Sequence, residues 1–333
     1  MKAMQLSGYR SAEENPLTLV DVPVPLPGRG QVRLRVAVCG VCHTDLHIVE
    51  GEIHPPNLPL IPGHQAVGVI DALGEGVTNL ELGMRVGVPW FHAACRDCEF
   101  CRSGMENLCG DARFTGFHVD GGFAEYMLVD AKFALRIPDE ISDHQAGPLL
   151  CAGIIGYRSL NKADLQPGER LGLFGFGASA HLAIQVANFW NCEVCVFTRS
   201  REHQDHAREL GAAWVGGAEE TPQKYLDRAV IFAPAGEIVP RALKVLRPGG
   251  TLAINAIHMS PIPAMDYDLI YGERTLRSVA NATYNDGVEF LKLAKEIPIR
   301  PTIQVYDLEG ANHALKDVKH SRLNGEALLQ IWS

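Results

Sequence analysis

The sequence predicts an α/β protein with a β-rich part and a part built on a parallel sheet covered by helices on both faces. Three observations carry this. Over about the first 150 residues, short strand-like runs such as QVRLRVAV, AVGVIDAL and RVGVPW are punctuated by Gly and Pro. From about residue 150 onward, strand-like and helix-period runs alternate, the pattern of a parallel sheet. After about residue 283 the alternation stops and the texture reverts. A chain of 333 residues is long enough to build two cores.

The elements follow in order. QVRLRVAV alternates polar and apolar residues, as a half-buried strand does. The proline-heavy VPVPLPGRG before it reads as an extended connection, because proline lacks the amide proton and restricts its predecessor. The nine residues CGVCHTDLH read as a strand running into a loop. RLGLFGFGASAHLAIQVANFW is an apolar strand, a glycine turn and a helix; EVCVFTRS is the next strand. REHQDHARELGA is a helix closed by Gly211, and RAVIFAPAG and GGTLAINA continue the alternation. The tail offers DGVEFLKLAKEI, then strand-like TIQVYDL and ALLQIWS.

Composition excludes several functions. A net charge of −9 and the lack of any basic run argue against a nucleic-acid surface. No run of about 18 apolar residues occurs, so no membrane span is expected. The N-terminus has no apolar core or small-residue cleavage site, so no signal peptide is read and a cytoplasmic location is expected. In that compartment the nine cysteines are expected as free thiols or metal ligands.

Four of them, Cys95, Cys98, Cys101 and Cys109, follow C-x2-C-x2-C-x7-C. A bacterial iron–sulfur run starts the same way but places its fourth cysteine three residues on, with a proline next. Here Gly110 follows a longer gap. Four thiolates in a lobe spanning about 92–112 close a tetrahedral zinc site with no open position, which suits structure and not catalysis. Cys192 and Cys195 form another C-x2-C, but they fall at the start of a strand and read as packing.

Between a strand and a helix, GFGASA gains meaning as a dinucleotide turn. Gly175 permits the tight turn, Gly177 admits a pyrophosphate, and Ala180 stands in for the third glycine. At the end of the second strand stand Thr198, Arg199, Ser200 and Arg201, with Glu202 only afterwards. Hydroxyls and guanidinium groups suit a 2′-phosphate, so NADP(H) is favoured, with NAD(H) possible.

With CGVCHTDLH, PGHQAVGVI, the four-cysteine lobe, PLLCAG and GFGASA in this order, the chain resembles the zinc-dependent medium-chain alcohol dehydrogenases over nearly its whole length. TRSR makes it look nearer the cinnamyl-alcohol-dehydrogenase-like, NADP-using branch. The resemblance implies a GroES-like catalytic domain (residues 1–151 and 283–333) interrupted by a Rossmann cofactor domain (152–282). It implies two zinc ions per chain, the catalytic one on Cys42, His64 and Cys151, a ligand set with an open fourth position. Asp45 matches an acid that orients a ligand imidazole. His43 matches a position facing the cofactor pyrophosphate, and Thr44 and His47 match a proton relay. Cys39 has no ligand counterpart and is read as packing. Trp90 and Phe91, with Ile53 and Phe114, match walls of an apolar pocket, positions that equally suit core residues. The implied reaction is reversible hydride transfer between a primary alcohol or aldehyde and the cofactor, in a homodimer or homotetramer.

Two residues depart from the pattern. Gln65 replaces the acid that usually follows the ligand histidine, which makes the site less negative. Glu326 stands where many relatives carry a basic residue near the cofactor phosphates. Three rival functions are a zinc-free quinone or enoyl reductase on the same fold, a non-catalytic NADPH-binding sensor, and an iron–sulfur carrier. The first has no use for the Cys42, His64 and Cys151 set, and the second none for a relay.

Overall fold

The computed structural model describes residues 1–332. The chain forms two compact units: Met1–Cys151, Thr283–Lys295 and the chain from Pro301 onward make one, and Ala152–Ala282 with Glu296–Arg300 make the other. The sequence expectation kept everything after 283 in one piece. Five residues differ because Arg300 is tied to Gln185 of the second unit by its amide at 2.9 Å and its carbonyl at 3.3 Å.

The first unit is organised around one long strand, Gln31–Val41, the QVRLRVAV run extended into CGV. Its alternate residues Val32, Leu34, Val36 and Val38 are fully buried, so period-2 patterning sets which face meets the core. Each such side chain contributes roughly 2 kcal/mol of burial. The strand pairs antiparallel with Ala66–Leu73 and Tyr126–Asp130. Near its end it pairs with Glu326–Gln330, Leu329 facing Cys39 and Ala327 facing Val41. The tail of the chain thus completes the sheet beside CGVC. That strand also pairs parallel with Ile303–Asp307. The proline-rich stretch 22–28 has no regular structure, as its composition requires.

One helical run carries the chain out of this unit. Ser142 and Gln145 form a capping box that starts Asp143–Pro148. The run then widens into a π-helical turn, Leu149–Gly153, before Ile154–Lys162. Pro148 cannot donate a main-chain hydrogen bond, which suits a local change of winding.

The second unit is a six-stranded sheet, parallel throughout. Its strands run in the spatial order Trp214–Gly216, Glu193–Phe197, Arg170–Phe174, Leu226–Ile231, Leu246–Ile254, Thr275–Ser278. Numbered along the chain this is 3-2-1-4-5-6, the doubly wound dinucleotide-binding order. Leu171, Leu173 and Val196 are fully buried, because a parallel sheet is covered on both faces. Helices Ala178–Phe189 and Arg201–Glu209 follow the first two strands, as their 3.6-residue periodicity predicts. Among the described residues, no helix is long and apolar enough to cross a membrane.

Candidate functional site

The CGVCHTDLH stretch is a strand followed at once by a helix, His43–Glu50, where a loop was expected. The reason is local. Cys42 is the N-cap: its Sγ accepts from the Thr44 amide at 3.4 Å, and Asp45 Oδ2 accepts from the Cys42 amide at 3.0 Å. A capping box with sulfur in the place of a hydroxyl starts the helix.

Asp45 has a second task. Its Oδ1 accepts from the Gly63 amide at 3.2 Å and from His64 Nδ1 at 3.1 Å. With the ring proton on Nδ1, the lone pair of His64 Nε2 points outward, 3.3 Å from Cys42 Sγ. Asp45 and His64 are both fully buried. Burial alone would lower the His64 pKa, but Asp45 and Cys42 on its two sides outweigh it, and the pKa lies well above the usual value.

Cys151 enters from the π-helical turn. The donor atoms of Cys42, His64 and Cys151 lie within 4.8 Å of one another. The Cys151 thiol, and then burial, hold the Cys42 pKa well above the ordinary thiol range. Two adjacent thiols with no cation keep their protons, whereas a divalent metal would displace both. Two sulfurs and one imidazole nitrogen, with the imidazole fixed from behind, fit a zinc ion with one position to spare.

Of the other residues in the stretch, Cys39 is fully buried, with its Sγ packed against Gly122, where a Cβ would come within 2.9 Å. Thr44 is buried, His43 is exposed, and His47 is half-buried with Nδ1 on the Glu52 carboxylate.

The four-cysteine lobe is built differently. Its four sulfurs also lie within 4.8 Å of one another. Arg96 takes a left-handed φ of 65°, which curls the chain so that the amides of Asp97 and Cys98 donate to Cys95 Sγ at 3.5 and 3.4 Å. Those two amides, Asp97 first, bring the Cys95 thiol down to about 6. Burial, and then its thiol neighbours, push Cys101 up to about 12. Four sulfurs gathered this closely suit four-thiolate coordination. Cys192 and Cys195 are buried, and burial raises both thiols, Cys195 to about 11.

Trp90 lies edge-on to His64 at 5.0 Å and stacks on Phe114 at 5.0 Å. Phe91 is 4% exposed and packs against Phe133 and Phe114, the core setting that its position equally suits.

Glu326 is 2% exposed, at the start of the strand beside Gln31–Val41, and its carboxyl faces the fully buried Gln65. Burial raises the Glu326 pKa to about 8, against smaller lowering effects of Gln65 and His64. Neither side chain reaches aligned hydrogen-bond geometry: among the described residues, both carboxylate oxygens and both Gln65 amide atoms lack a partner. The strand pairing that brings residue 326 to residue 65 leaves no sequence signal.

In the second unit, Gly175 follows the first strand with φ 89°, and a Cβ there would meet Ala233 N at 3.0 Å. Gly177 caps the helix Ala178–Phe189, and a Cβ there would meet no protein atom within 4 Å. The space in front of the helix start is free for a pyrophosphate. Ala180 is fully buried in that helix. Thr198 is buried, and its carbonyl accepts from Gln204 Nε2 at 3.0 Å. Ser200 Oγ caps the helix Arg201–Glu209. Arg199 and Arg201 are exposed, and Arg201 lies 3.5 Å from Asp205.

A family model described as alcohol dehydrogenase GroES-like domain matches residues 28–139, and one described as zinc-binding dehydrogenase matches residues 180–296. The chain is 42% identical to a Mycobacterium tuberculosis protein named probable alcohol dehydrogenase AdhA, over 99% of this chain and 97% of that one. It is 34% identical to an alcohol dehydrogenase of Geobacillus stearothermophilus, over 99% and 100%. Among solved structures, a cinnamyl alcohol dehydrogenase of Sorghum bicolor superposes with a TM-score of 0.90 at 28% identity, over 99% and 98%.

Proposed function

The chain belongs to the zinc-type medium-chain alcohol dehydrogenase family, and from that premise we propose which metal, cofactor and side chains run its reaction. It is an alcohol dehydrogenase that interconverts alcohols and aldehydes. The observation that carries the proposal is the convergence of Cys42, His64 and Cys151, with Asp45 behind the imidazole.

Zinc is the proposed metal, on those three donors, and when bound it supplies a Lewis acid that lowers the pKa of the substrate hydroxyl. Asp45 holds His64 with its Nε2 lone pair toward the donor cluster and keeps the Cys42 amide occupied. Thr44 accepts the hydroxyl proton as it gives up its own, and His47, one turn along the same helix face, takes up the relayed proton and exchanges it with solvent. Trp90 presents an apolar ring beside His64, which suits a primary alcohol with a hydrocarbon body. A second zinc on Cys95, Cys98, Cys101 and Cys109 stabilises the lobe.

NADP(H) is the proposed cofactor. Gly175 and Gly177 open the helix start to the pyrophosphate, with Ala180 packed beneath, and His43 is the further phosphate contact proposed. The 198–201 stretch has two exposed guanidinium groups and no carboxylate, which favours a 2′-phosphate.

One preparation tests all of this. Metal analysis should find about two zinc ions per chain. Primary alcohols should be oxidised faster with NADP than with NAD. A chain with a single zinc that survives both Cys42→Ala and Cys151→Ala would overturn the catalytic site, whereas preference for NAD would overturn only the role of Thr198–Arg201.

A further inference from the structure

Next in the chain to His64, the buried amide of Gln65 faces the buried carboxyl of Glu326, and among the described residues none of their four side-chain polar atoms has an aligned partner. Both side chains are delivered by a constrained main chain. Gly325 turns the chain into its last strand with a positive φ of 118°, and a Cβ there would collide with the Thr302 carbonyl. The Glu326 amide donates to that same carbonyl at 3.0 Å, so the origin of its side chain is fixed. Ala327, Leu328 and Leu329 follow, all fully buried, and an acid at the head of such a run is cut off from water.

Gln65 is held from the other side. Gly40 pairs with Leu328 across the sheet, and its amide donates to the Gln65 carbonyl at 3.1 Å. The Gln65 side chain lies over Gly40 itself, where a Cβ would come within 2.8 Å of the amide carbon. The space that position 40 leaves empty is therefore filled by Gln65. It is filled two residues before one proposed ligand, Cys42, and one residue after another, His64. A buried carboxyl thus stands on each flank of His64. Asp45 holds the ring directly, and Glu326 reaches the neighbouring residue. Unsatisfied buried polar groups are rare in folded proteins and gather at functional sites.

We infer that Glu326 is a positioning residue for the proposed zinc site: it holds the Gln65 amide in the space over Gly40, and so fixes the main chain that carries His64 between Asp45 and Cys42. An oxygen that accepts from Gln65 Nε2 is enough for this. The inference rests on the reading of Cys42, His64 and Cys151 as the ligands.

The test measures metal binding to the intact protein, with zinc as the probe and a chelator as competitor. Glu326→Leu keeps the bulk and removes the acceptor. It should hold the zinc on Cys42, His64 and Cys151 ~10–100-fold more weakly, the range for losing a group that orients a metal ligand. The zinc of the four-cysteine lobe should stay in place, which reports that the chain is folded. Glu326→Gln keeps an accepting oxygen and should bind within about threefold of the parent. Gln65→Leu should match Glu326→Leu, and the double variant should lose no more than either alone, because the two side chains act as one unit. With cobalt(II) in place of zinc, the visible bands should shift in Glu326→Leu and not in Glu326→Gln. Parental zinc affinity in Glu326→Leu, or losses that add in the double variant, would overturn the inference. If Glu326→Leu sheds the lobe metal as well, and so is unfolded, Gln65→Leu decides by the same measurement. Retention of both zinc ions by Cys42→Ala would instead overturn the zinc reading and the inference with it.

Discussion

The two clusters of metal-ligating side chains are equally tight, their donor atoms within 4.8 Å of one another, and are built by opposite means. Cys95, Cys98, Cys101 and Cys109 come from one short lobe, folded by a left-handed Arg96 and by amides donating to sulfur. Cys42, His64 and Cys151 come from a helix cap, a loop held by Asp45, and a π-helical turn. The local cluster supplies four thiols and leaves no opening. The dispersed one supplies three donors, with an imidazole aimed from behind, one fewer than a tetrahedral zinc takes. A local loop is enough to close a site, but an open site needs the rest of the fold to hold its ligands apart.

Perturbing each cluster in turn puts this contrast at risk. The largest effect is expected at the dispersed one. Cys42→Ala should lower kcat/KM at least ~10³-fold, since a Lewis acid contributes several kcal/mol and each ~1.4 kcal/mol is tenfold. Its melting temperature should fall by only a few degrees. Equal losses of stability from Cys42→Ala and from a lobe variant would erase the distinction.

The lobe should respond in the reverse sense. Cys101→Ala should remove about one metal ion per chain and lower the melting temperature by on the order of 10 °C. At temperatures where it stays folded, kcat should remain within a few-fold of the parent. A kcat loss as large as that of Cys42→Ala would mean that the lobe takes part in the reaction.

The smallest expected effect concerns the buried neighbours of the dispersed cluster. Glu326 has a folded pKa of about 8, above its ordinary 4.5, because burial disfavours the charge. The folded state therefore holds this proton more tightly than the unfolded chain does. Its contribution to stability is fully present below the unfolded pKa and is lost as pH rises through about 8. Glu326→Gln should be nearly neutral at pH ~5 and stabilise by about 1–3 kcal/mol above pH ~8. A gain that does not change with pH, read from denaturant melts across that window, would show that the Glu326 pKa is the same in the folded and unfolded chain.

Legibility in the sequence followed the same division. The lobe could be read from spacing alone, because four cysteines so close together leave the chain few ways to arrange them. The parallel order of the second unit was legible in the alternation of strand and helix, and Gly175 and Gly177 in their place between the two. The helix after Cys42 was missed because a thiol is an unusual cap.

By itself, the sequence determined the strand and helix pattern, the four-thiol lobe and the nucleotide turn, all of which depend on residues close together in the chain. Only the tertiary structure decided that Asp45 both caps its helix and aims His64, and that Cys151 arrives on a π-helical turn. It alone placed Glu326 against Gln65. Local conformation follows from steric and hydrogen-bonding preferences a few residues wide, whereas the meeting of Cys42 with Cys151, or of residue 65 with residue 326, depends on sheet register and on how the core fills.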